Sequence, residues 1–213
     1  MPYVGMLSIP RDLWVNIPGV GENRINTAHF FAEASDPGSG PDATLETVRQ
    51  NFGIDVGYYV RIKFDGFKEI FDAMGGLNIT LEEPMSGYPA GSHHLDSAQA
   101  LALARDRAGS DDFFRMARGQ LILKSVFRQI LSPASWVRLP AVLASISNAV
   151  DTNLPFWLWP RLATTMLRVG PDGIDNRTIA RTMVTPFTTN QGAMVLLPNW
   201  DAINPVLLEM FDQ

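Results

Sequence analysis

The fold class of this chain follows from residues 58–81, YYVRIKFDGFKEIFDAMGGLNITL. The first seven of these residues alternate along the chain and are rich in β-branched and aromatic types, which predicts a strand with one buried face. A helix is predicted over 65–74, because Gly75-Gly76 then ends it, and a second strand follows over 77–81. Strand, helix and strand in this order are typical of layered proteins, so the sequence predicts an α/β fold.

Similar signals occur on both sides of this segment. Loops rich in Gly, Ser, Pro and Asp are predicted over 19–23 and 35–41, where they would form the rim of a pocket. Because no repeat, low-complexity tract or linker divides the chain, residues 1–213 are predicted to form one domain. The remaining predicted elements are strands over 4–9 and 174–182 and helices over 42–52, 97–105, 120–131, 139–150, 155–169 and 201–211.

Composition excludes several classes of protein. A net charge of −5 argues against nucleic-acid binding, and the absence of cysteine excludes disulfides, thiolate nucleophiles and thiolate metal sites. No run of 18 apolar residues occurs and no export signal opens the chain, which predicts a soluble protein as given. Because Met1 leads directly into strand-like sequence, we expect that residues normally preceding it are missing.

The most polar segment of the chain is residues 105–120, which contains four arginines and three aspartates. Arg105 and Arg107 would point the same way in extended backbone, and Arg115 and Arg118 would share a helix face. Planar guanidinium groups bind phosphate oxygens in pairs, and like charges gathered in one place favour a multiply charged anion such as pyrophosphate. The alternative is a solvated patch in which these arginines pair with Asp106, Asp111 and Asp112.

A second candidate lies just after the first predicted strand, where ligands of open α/β sheets usually bind. Arg11 and Asp12 occupy this position, and the carboxylate of Asp12 could hold a divalent cation such as Mg²⁺. The alternative for this pair is an ordinary turn. Arg24 and Asn26 fall in a predicted loop that could fold over the same site or simply anchor the loop to the core.

Other polar and aromatic residues carry weaker signals. His93-His94 favours an exposed loop over a zinc site, and neither a P-loop nor a Gly-x-Ser-x-Gly elbow is present. Four aromatic residues of the last third are interpreted as core or helix-packing residues, with a lipid-facing role as the alternative. These are Trp136, Phe156, Trp157 and Trp159.

Several of these segments, taken together, resemble the LytR-CpsA-Psr family in order and spacing. The resemblance covers roughly residues 4–131 and implies a three-layer α/β/α sandwich with a central mixed sheet. An apolar tunnel for a polyprenyl chain is implied inside it, and the first strand and a membrane anchor would be missing from this chain. The segments are Leu7-Ser8-Ile9-Pro10-Arg11-Asp12, Arg24-Ile25-Asn26-Thr27-Ala28, Phe64-Asp65-Gly66-Phe67, Met74-Gly75-Gly76-Leu77, Arg105-x-Arg107 and Asp112-x-x-Arg115-x-x-Arg118.

The resemblance implies an extracytoplasmic, magnesium-dependent phosphotransferase that is anchored in the cell membrane at full length. It would transfer a phosphoglycan, such as a teichoic acid or capsule polysaccharide, from a polyprenyl pyrophosphate carrier to a peptidoglycan hydroxyl. Such transfer depends on charge neutralisation and positioning. The implied catalytic residues are Asp112, which would deprotonate or orient the acceptor hydroxyl, and Arg107. The implied pyrophosphate ligands are Arg11, Arg24, Arg105, Arg107, Arg115, Arg118 and Gln120, and the implied magnesium ligand is Asp12.

The chain departs from the family pattern at two places. A further metal-binding aspartate usually precedes Ser8, and the chain begins too late to contain it. A glutamine usually follows the second arginine of the last motif, where this sequence has Gly119 and only then Gln120. Two alternative functions therefore stay open, a non-enzymatic polyprenyl-phosphate-binding or regulatory module and a lipid pyrophosphate hydrolase.

Overall fold

The computed structural model describes residues 3–106 and 112–211. The chain divides into two compact units, which are described separately. The central unit comprises Met1–Met6 and Val60–Asn176, and the terminal unit comprises Leu7–Tyr59 and Arg177–Gln213. The prediction of a single domain stays a prediction.

Helices and strands are interspersed along the described chain, which confirms the α/β class. Short 3-10 helices cover Pro133–Arg138, Phe156–Leu158 and Arg181–Met183. The strands are β1 (Gly5–Ser8), β2 (Trp14–Ile17), β3 (Gly21–Arg24), β4 (Val60–Ile62), β5 (Leu77–Leu81), β6 (Gly91–Leu95), β7 (Val150–Thr152), β8 (Asp175–Thr178), β9 (Val184–Thr188) and β10 (Met194–Pro198). The α-helices are α1 (Thr27–Ser35), α2 (Gly40–Phe52), α3 (Phe64–Met74), α4 (Ser97–Arg105), α5 (Asp112–Leu131), α6 (Leu139–Ala149), α7 (Trp159–Val169) and α8 (Trp200–Phe211).

The strands of the described residues pair two by two. Antiparallel pairs join β2 to β3, β4 to β7, β5 to β6 and β9 to β10. β1 pairs with β8, where the N–H groups of Asp175 and Ile179 donate to the carbonyl oxygens of Val4 and Ser8. In the terminal unit, a parallel bridge between Leu13 and Leu196 connects the two hairpins. Parallel and antiparallel pairing therefore both occur.

The glycines of the segment that predicts the fold class are explained by close approach. A Cβ atom on Gly66 would lie 2.8 Å from the carbonyl oxygen of Ala149, so only glycine lets α3 and α6 come this near. Gly75 and Gly76 have φ angles of 76° and 90°, in the left-handed region that glycine adopts at low cost. A Cβ on Gly76 would also lie 2.6 Å from the carbonyl oxygen of Leu95, where the chain enters β5.

The core of the central unit fixes the elements that carry the arginine-rich segment. Leu77, Ile79 and Leu81 alternate with exposed residues on β5 and pack against Leu103 of α4 and Ile122 of α5. Burying side chains of this size stabilises the fold by about 1.5–3 kcal/mol each. The end of α4 and the first turns of α5 are thereby anchored on the same sheet pair. A second buried group, Ile70, Met74 and Val142, packs α3 against α6.

The terminal unit contains its own buried residues. Val15 and Ile17 alternate with exposed Asn16 on β2, as expected for a strand with one buried face. The ring of Trp200 meets that of Phe52 edge to face at 5.5 Å, which packs α8 against α2. Arg177 and Glu209 form a two-pronged ion pair at 2.6 and 2.7 Å. Further buried apolar residues of this unit are Leu13, Ile25, Leu45, Ile179, Val195, Ile203 and Leu207.

Several predicted boundaries are wrong. The strand predicted over 58–64 covers only Val60–Ile62, and Val60 and Ile62 are exposed, so it does not have the predicted buried face. α5 begins at Asp112, eight residues before the predicted start at 120, because charged residues that pair with one another form its first turns. Arg24 lies on β3 and not in a loop, because residues 14–17 and 21–24 form an antiparallel hairpin.

The interpretation of the late aromatic residues as core is wrong for three of the four. Trp136, Phe156 and Trp157 are 57%, 80% and 66% exposed, and Trp159 is half-buried.

Among the described residues no single helix is both long and apolar enough to cross a membrane. Asp112–Leu131 and Pro133–Ala149 satisfy the criteria of length and composition only as a pair that bends by 86°.

Candidate functional site

Arg105 is the last residue of α4 and lies against an aromatic ring. Asp96 begins this helix with a reciprocal cap, in which its carboxylate accepts from the N–H of Gln99 at 2.7 Å. At the other end, the guanidinium carbon of Arg105 lies 4.6 Å from the ring centroid of Phe64. The ring attracts the cation without using its N–H groups, so Arg105 keeps donors for an anion.

Arg118 is buried, with only 4% of its side chain exposed. Its Nη1 donates to the carbonyl oxygen of Asp106 at 2.7 Å and lies 3.2 Å from the carboxylate of the same residue. Its Nε donates to the carbonyl oxygen of Phe114 at 3.3 Å. Because a buried charge is costly without partners, these contacts tie α5 to the residue that follows α4.

Arg115 and Asp112 form an ion pair in the first turn of α5, with Nη2 and Oδ1 2.5 Å apart. The carboxylate also lies at the positive end of the helix dipole, where a negative charge is favoured. Arg115 stands one turn before Arg118 on the same helix. We call Arg105, Asp106, Asp112, Arg115 and Arg118 the arginine cluster.

The structure thus brings together most of the predicted central residues at the α4–α5 junction. Asp106 and Asp112 pair with arginines, as the surface-patch alternative expected, but Arg118 is buried and Arg115 is half-buried. Gln120 lies half-buried on α5, two residues after Arg118. Arg107 and Asp111 lie outside the described residues, so their predicted roles stay predictions.

Asp12, Arg11 and Arg24 meet in the terminal unit. The carboxylate oxygens of Asp12 lie 3.4 Å from Nε of Arg11 and 3.5 Å from Nη1 of Arg24. Pairing of β2 with β3 brings Arg24 back to Asp12, and the N–H of Asn26 donates to the carbonyl oxygen of Arg11 at 3.3 Å. We call these three residues the Asp12 cluster. Arg11 is exposed and Arg24 is half-buried.

The Asp12 cluster offers one carboxylate to a metal ion. Among residues 3–106 and 112–211, no three Asp, Glu or His side chains are grouped so that they could hold a metal. Magnesium is commonly bound by one or two carboxylates together with substrate phosphates and water. Asp12 fits this pattern only as a single protein ligand, and two nearby guanidinium groups compete for it.

A polar cleft of about 510 Å³ lies elsewhere in the central unit, between the outer face of β5 and β6 and the helix α5. His93 and His94 line it and lie on β6, so their predicted position in a loop is wrong. Ring nitrogens of these histidines are hydrogen-bonded to the carbonyl oxygen of Pro89 and to Oδ1 of Asn78, each at 2.8 Å. The histidines therefore stabilise the hairpin.

Comparison with known proteins assigns the class. The chain belongs to the LytR_cpsA_psr family, whose model matches residues 3–208. This match confirms the resemblance and extends it well beyond the segment that carries the motifs.

Individual relatives are similar over most of this chain. The polyisoprenyl-teichoic acid–peptidoglycan teichoic acid transferase TagU of Oceanobacillus iheyensis is 33% identical over 155 residues, 70% of this chain and 48% of its own length. The regulatory protein MsrR of Staphylococcus aureus is 30% identical over 158 residues, 70% of this chain and 46% of its own length. The chain thus spans about half the length of these relatives. The crystal structure of B. subtilis TagV superposes with a TM-score of 0.76 at 26% identity, over 98% of this chain and 83% of TagV.

Proposed function

We propose that this chain is the catalytic domain of a transferase that moves a phosphoglycan from a polyprenyl pyrophosphate carrier to a peptidoglycan hydroxyl. The observation that carries the proposal is the arginine cluster at the α4–α5 junction of a protein of the LytR_cpsA_psr family. The name of the relative TagU, a teichoic acid transferase, supports the same substrate class. An apolar tunnel that holds the polyprenyl chain belongs to the proposal.

The arginines of the cluster would have different roles. Among the described residues no carboxylate pairs with Arg105, so its exposed guanidinium would bind a diphosphate oxygen directly. Arg115 would exchange Asp112 for phosphate, which is favourable because a diphosphate carries more charge than one carboxylate. Arg118 would act mainly by positioning, because Asp106 and Phe114 already accept from it. Arg107 and Gln120 would add further donors to the diphosphate.

Asp112 would serve the acceptor hydroxyl. Once Arg115 turns towards phosphate, the carboxylate of Asp112 is released from this ion pair and can accept the hydroxyl proton. The acceptor oxygen then forms a bond to the phosphorus that carries the glycan, and the bond from this phosphorus to the oxygen of polyprenyl phosphate breaks. The proton passes from Asp112 to solvent, and polyprenyl phosphate leaves with the bridging oxygen.

Magnesium would be held by Asp12 together with phosphate oxygens and water, and would supply charge neutralisation when bound. Arg11 and Arg24 would add phosphate contacts in the terminal unit. A direct test uses Mn²⁺ in place of Mg²⁺. In the presence of inorganic pyrophosphate, the protein should enhance the water proton relaxation caused by Mn²⁺. Asp12→Asn should abolish this enhancement. An unchanged signal in this variant would remove Asp12 from the metal site.

The transferase proposal places the full-length protein outside the cytoplasm and in the cell membrane, where lipid-linked glycans and peptidoglycan meet. Its test combines the chain with Mg²⁺, a polyprenyl pyrophosphate-linked glycan and peptidoglycan, and measures released polyprenyl phosphate. Arg105→Ala, Arg107→Ala and Arg115→Ala should each lower release by a factor of about 100, as loss of a transition-state donor does. Arg128→Ala is the matched control, because it removes an exposed arginine of the same unit that pairs with Asp172.

A second candidate is a non-enzymatic lipid-binding or regulatory module, which the name of MsrR supports. It predicts binding of polyprenyl phosphate without release of product under any metal.

A third candidate is hydrolysis of the lipid pyrophosphate, which would use the same residues with water as the acceptor. In that case peptidoglycan would not compete with water, and free phosphoglycan would be the product at every acceptor concentration.

A further inference from the structure

Two exposed aromatic side chains lie in the short 3-10 helix that directly precedes α7. Phe156 and Trp157 are 80% and 66% exposed, and their rings meet edge to face at 5.4 Å. Exposing rings of this size to water is unfavourable by about 25 cal/mol for each Å² of apolar surface. A partner that removes these rings from water would therefore gain binding free energy.

The outward side of α7 consists of two stripes that run along the helix. One continues from Phe156 through Pro160, Ala163 and Leu167, and it is apolar and exposed. Next to it, a stripe from Trp157 continues through the residues Arg161, Thr164 and Arg168. The opposite side carries Trp159, Met166 and Val169, which are half-buried. The helix thus presents an apolar strip bordered by cations.

The helix α7 carries a net positive charge. Its 11 residues include Arg161 and Arg168 and no acid, in a chain whose net charge is −5. Within the described residues no carboxylate pairs with the guanidinium of Arg161 or Arg168. The two arginines beside the apolar strip are therefore available to an anionic partner.

We propose that α7, together with Phe156 and Trp157 in the 3-10 helix before it, is a surface by which this domain attaches to an anionic lipid bilayer. Aromatic rings favour the boundary between headgroups and acyl chains, and arginines beside them reach phosphate headgroups with their long side chains. Each cation near an anionic membrane strengthens the attachment, whereas it would not strengthen attachment to a neutral surface. None of the residues assigned to transfer takes part, so the two proposals stand or fall separately.

The test measures cosedimentation of the whole chain with vesicles of phosphatidylcholine alone or mixed with phosphatidylglycerol. We expect binding to the mixed vesicles that weakens as salt is raised. Arg161→Gln with Arg168→Gln should weaken it about tenfold, whereas Lys63→Gln with Lys68→Gln, the same charge change on exposed residues of the same unit, should have little effect. Phe156→Ser with Trp157→Ser should weaken it about tenfold too, with Phe30→Ser, an exposed ring of the terminal unit, as the control. Circular dichroism of each variant checks that the fold is retained.

Three results would overturn the proposal. Equal binding to vesicles with and without phosphatidylglycerol would remove the electrostatic part, and equal losses in the α7 variants and their controls would remove the site. If the chain instead forms dimers by light scattering, and the double variant Phe156→Ser with Trp157→Ser makes it monomeric, the surface is an interface between copies.

Discussion

Nη1 of Arg118 lies 3.2 Å from the carboxylate of Asp106, and the arginine side chain is almost entirely buried. The pair joins the first half of α5 to the residue that follows α4. Arg118 is therefore the buried member of the arginine cluster, whereas Arg115, which pairs with Asp112, is only partly buried. Loss of stability and loss of ligand binding are expected at different arginines of the same cluster.

Replacing Arg118 by Met should lower the free energy of unfolding by about 3 kcal/mol, because Asp106 loses the ion pair and hydrogen bond that the buried Arg118 supplies. Urea unfolding measures this change. Arg128→Gln is the control, because it breaks an exposed ion pair with Asp172 and should change stability little. Equal losses at both positions would contradict the structural role of Arg118.

Two glycines in helices should respond to alanine with opposite signs. Gly66→Ala places a methyl group against Ala149 and should destabilise the protein by about 1–3 kcal/mol. Gly119→Ala meets open space in α5 and should stabilise it by about 0.4–1 kcal/mol, because alanine has the higher helix propensity. Thermal or urea unfolding of the two variants distinguishes them. A stabilised Gly66→Ala variant would mean that α3 and α6 are not this close.

Phe64→Leu should weaken binding of a lipid diphosphate about two- to fivefold while every charge of the cluster is kept. The ring holds the guanidinium of Arg105 in place, and such an interaction is worth about 0.5–1 kcal/mol at an exposed site. Titration calorimetry with polyprenyl pyrophosphate measures the change. Phe114→Leu, which replaces an exposed ring on α5, is the control. If both variants weakened binding equally, the contact between Phe64 and Arg105 would have no specific part in diphosphate binding.

The pKa of Asp172 should lie below its ordinary value and rise when Arg128 is replaced by Gln. The hydrogen bond donated by Arg128 lowers this pKa first, its charge second, and Lys124 adds to the effect. Because the folded pKa is depressed, the stability that the pair contributes is present above the unfolded pKa and is lost as the pH falls through the folded pKa. Titration of the carboxyl resonance by NMR follows both forms. If the pKa of Asp172 were the same in the variant as in the unsubstituted protein, Arg128 would not be the group that lowers it.

Local patterns predict the elements whose signals are local. Strand β5 and the helix α3 are found where the sequence indicates them, since apolar alternation on 77–81 and two terminal glycines need no distant partner. β6 contains Ser92, His93 and His94 and buries only its last residue, Leu95. Apolar alternation cannot reveal such a strand, because its pairing with β5 supplies the structure.

In the candidate site, too, local spacing predicts some features and tertiary contacts decide the others. The charged start of α5 has no apolar period, so apolar spacing predicts a helix only from residue 120, although the spacing of Arg115 and Arg118 fits a shared helix face. Arg24 reaches Asp12 through a hairpin that the predicted loop did not include. The burial of Arg118 depends on its ion pair with Asp106. Spacing indicates which residues are available for a site, but which of them are compensated is decided by tertiary contacts.

Both units are assembled from separated stretches of polypeptide, because the chain crosses from one unit to the other at three points. Val4 accepts from the N–H of Asp175, so this pairing cannot form until residue 175 has left the ribosome. Closing so long a segment makes a slow, late folding step. Because each unit combines separated stretches, neither unit can be obtained by a single cut of the chain.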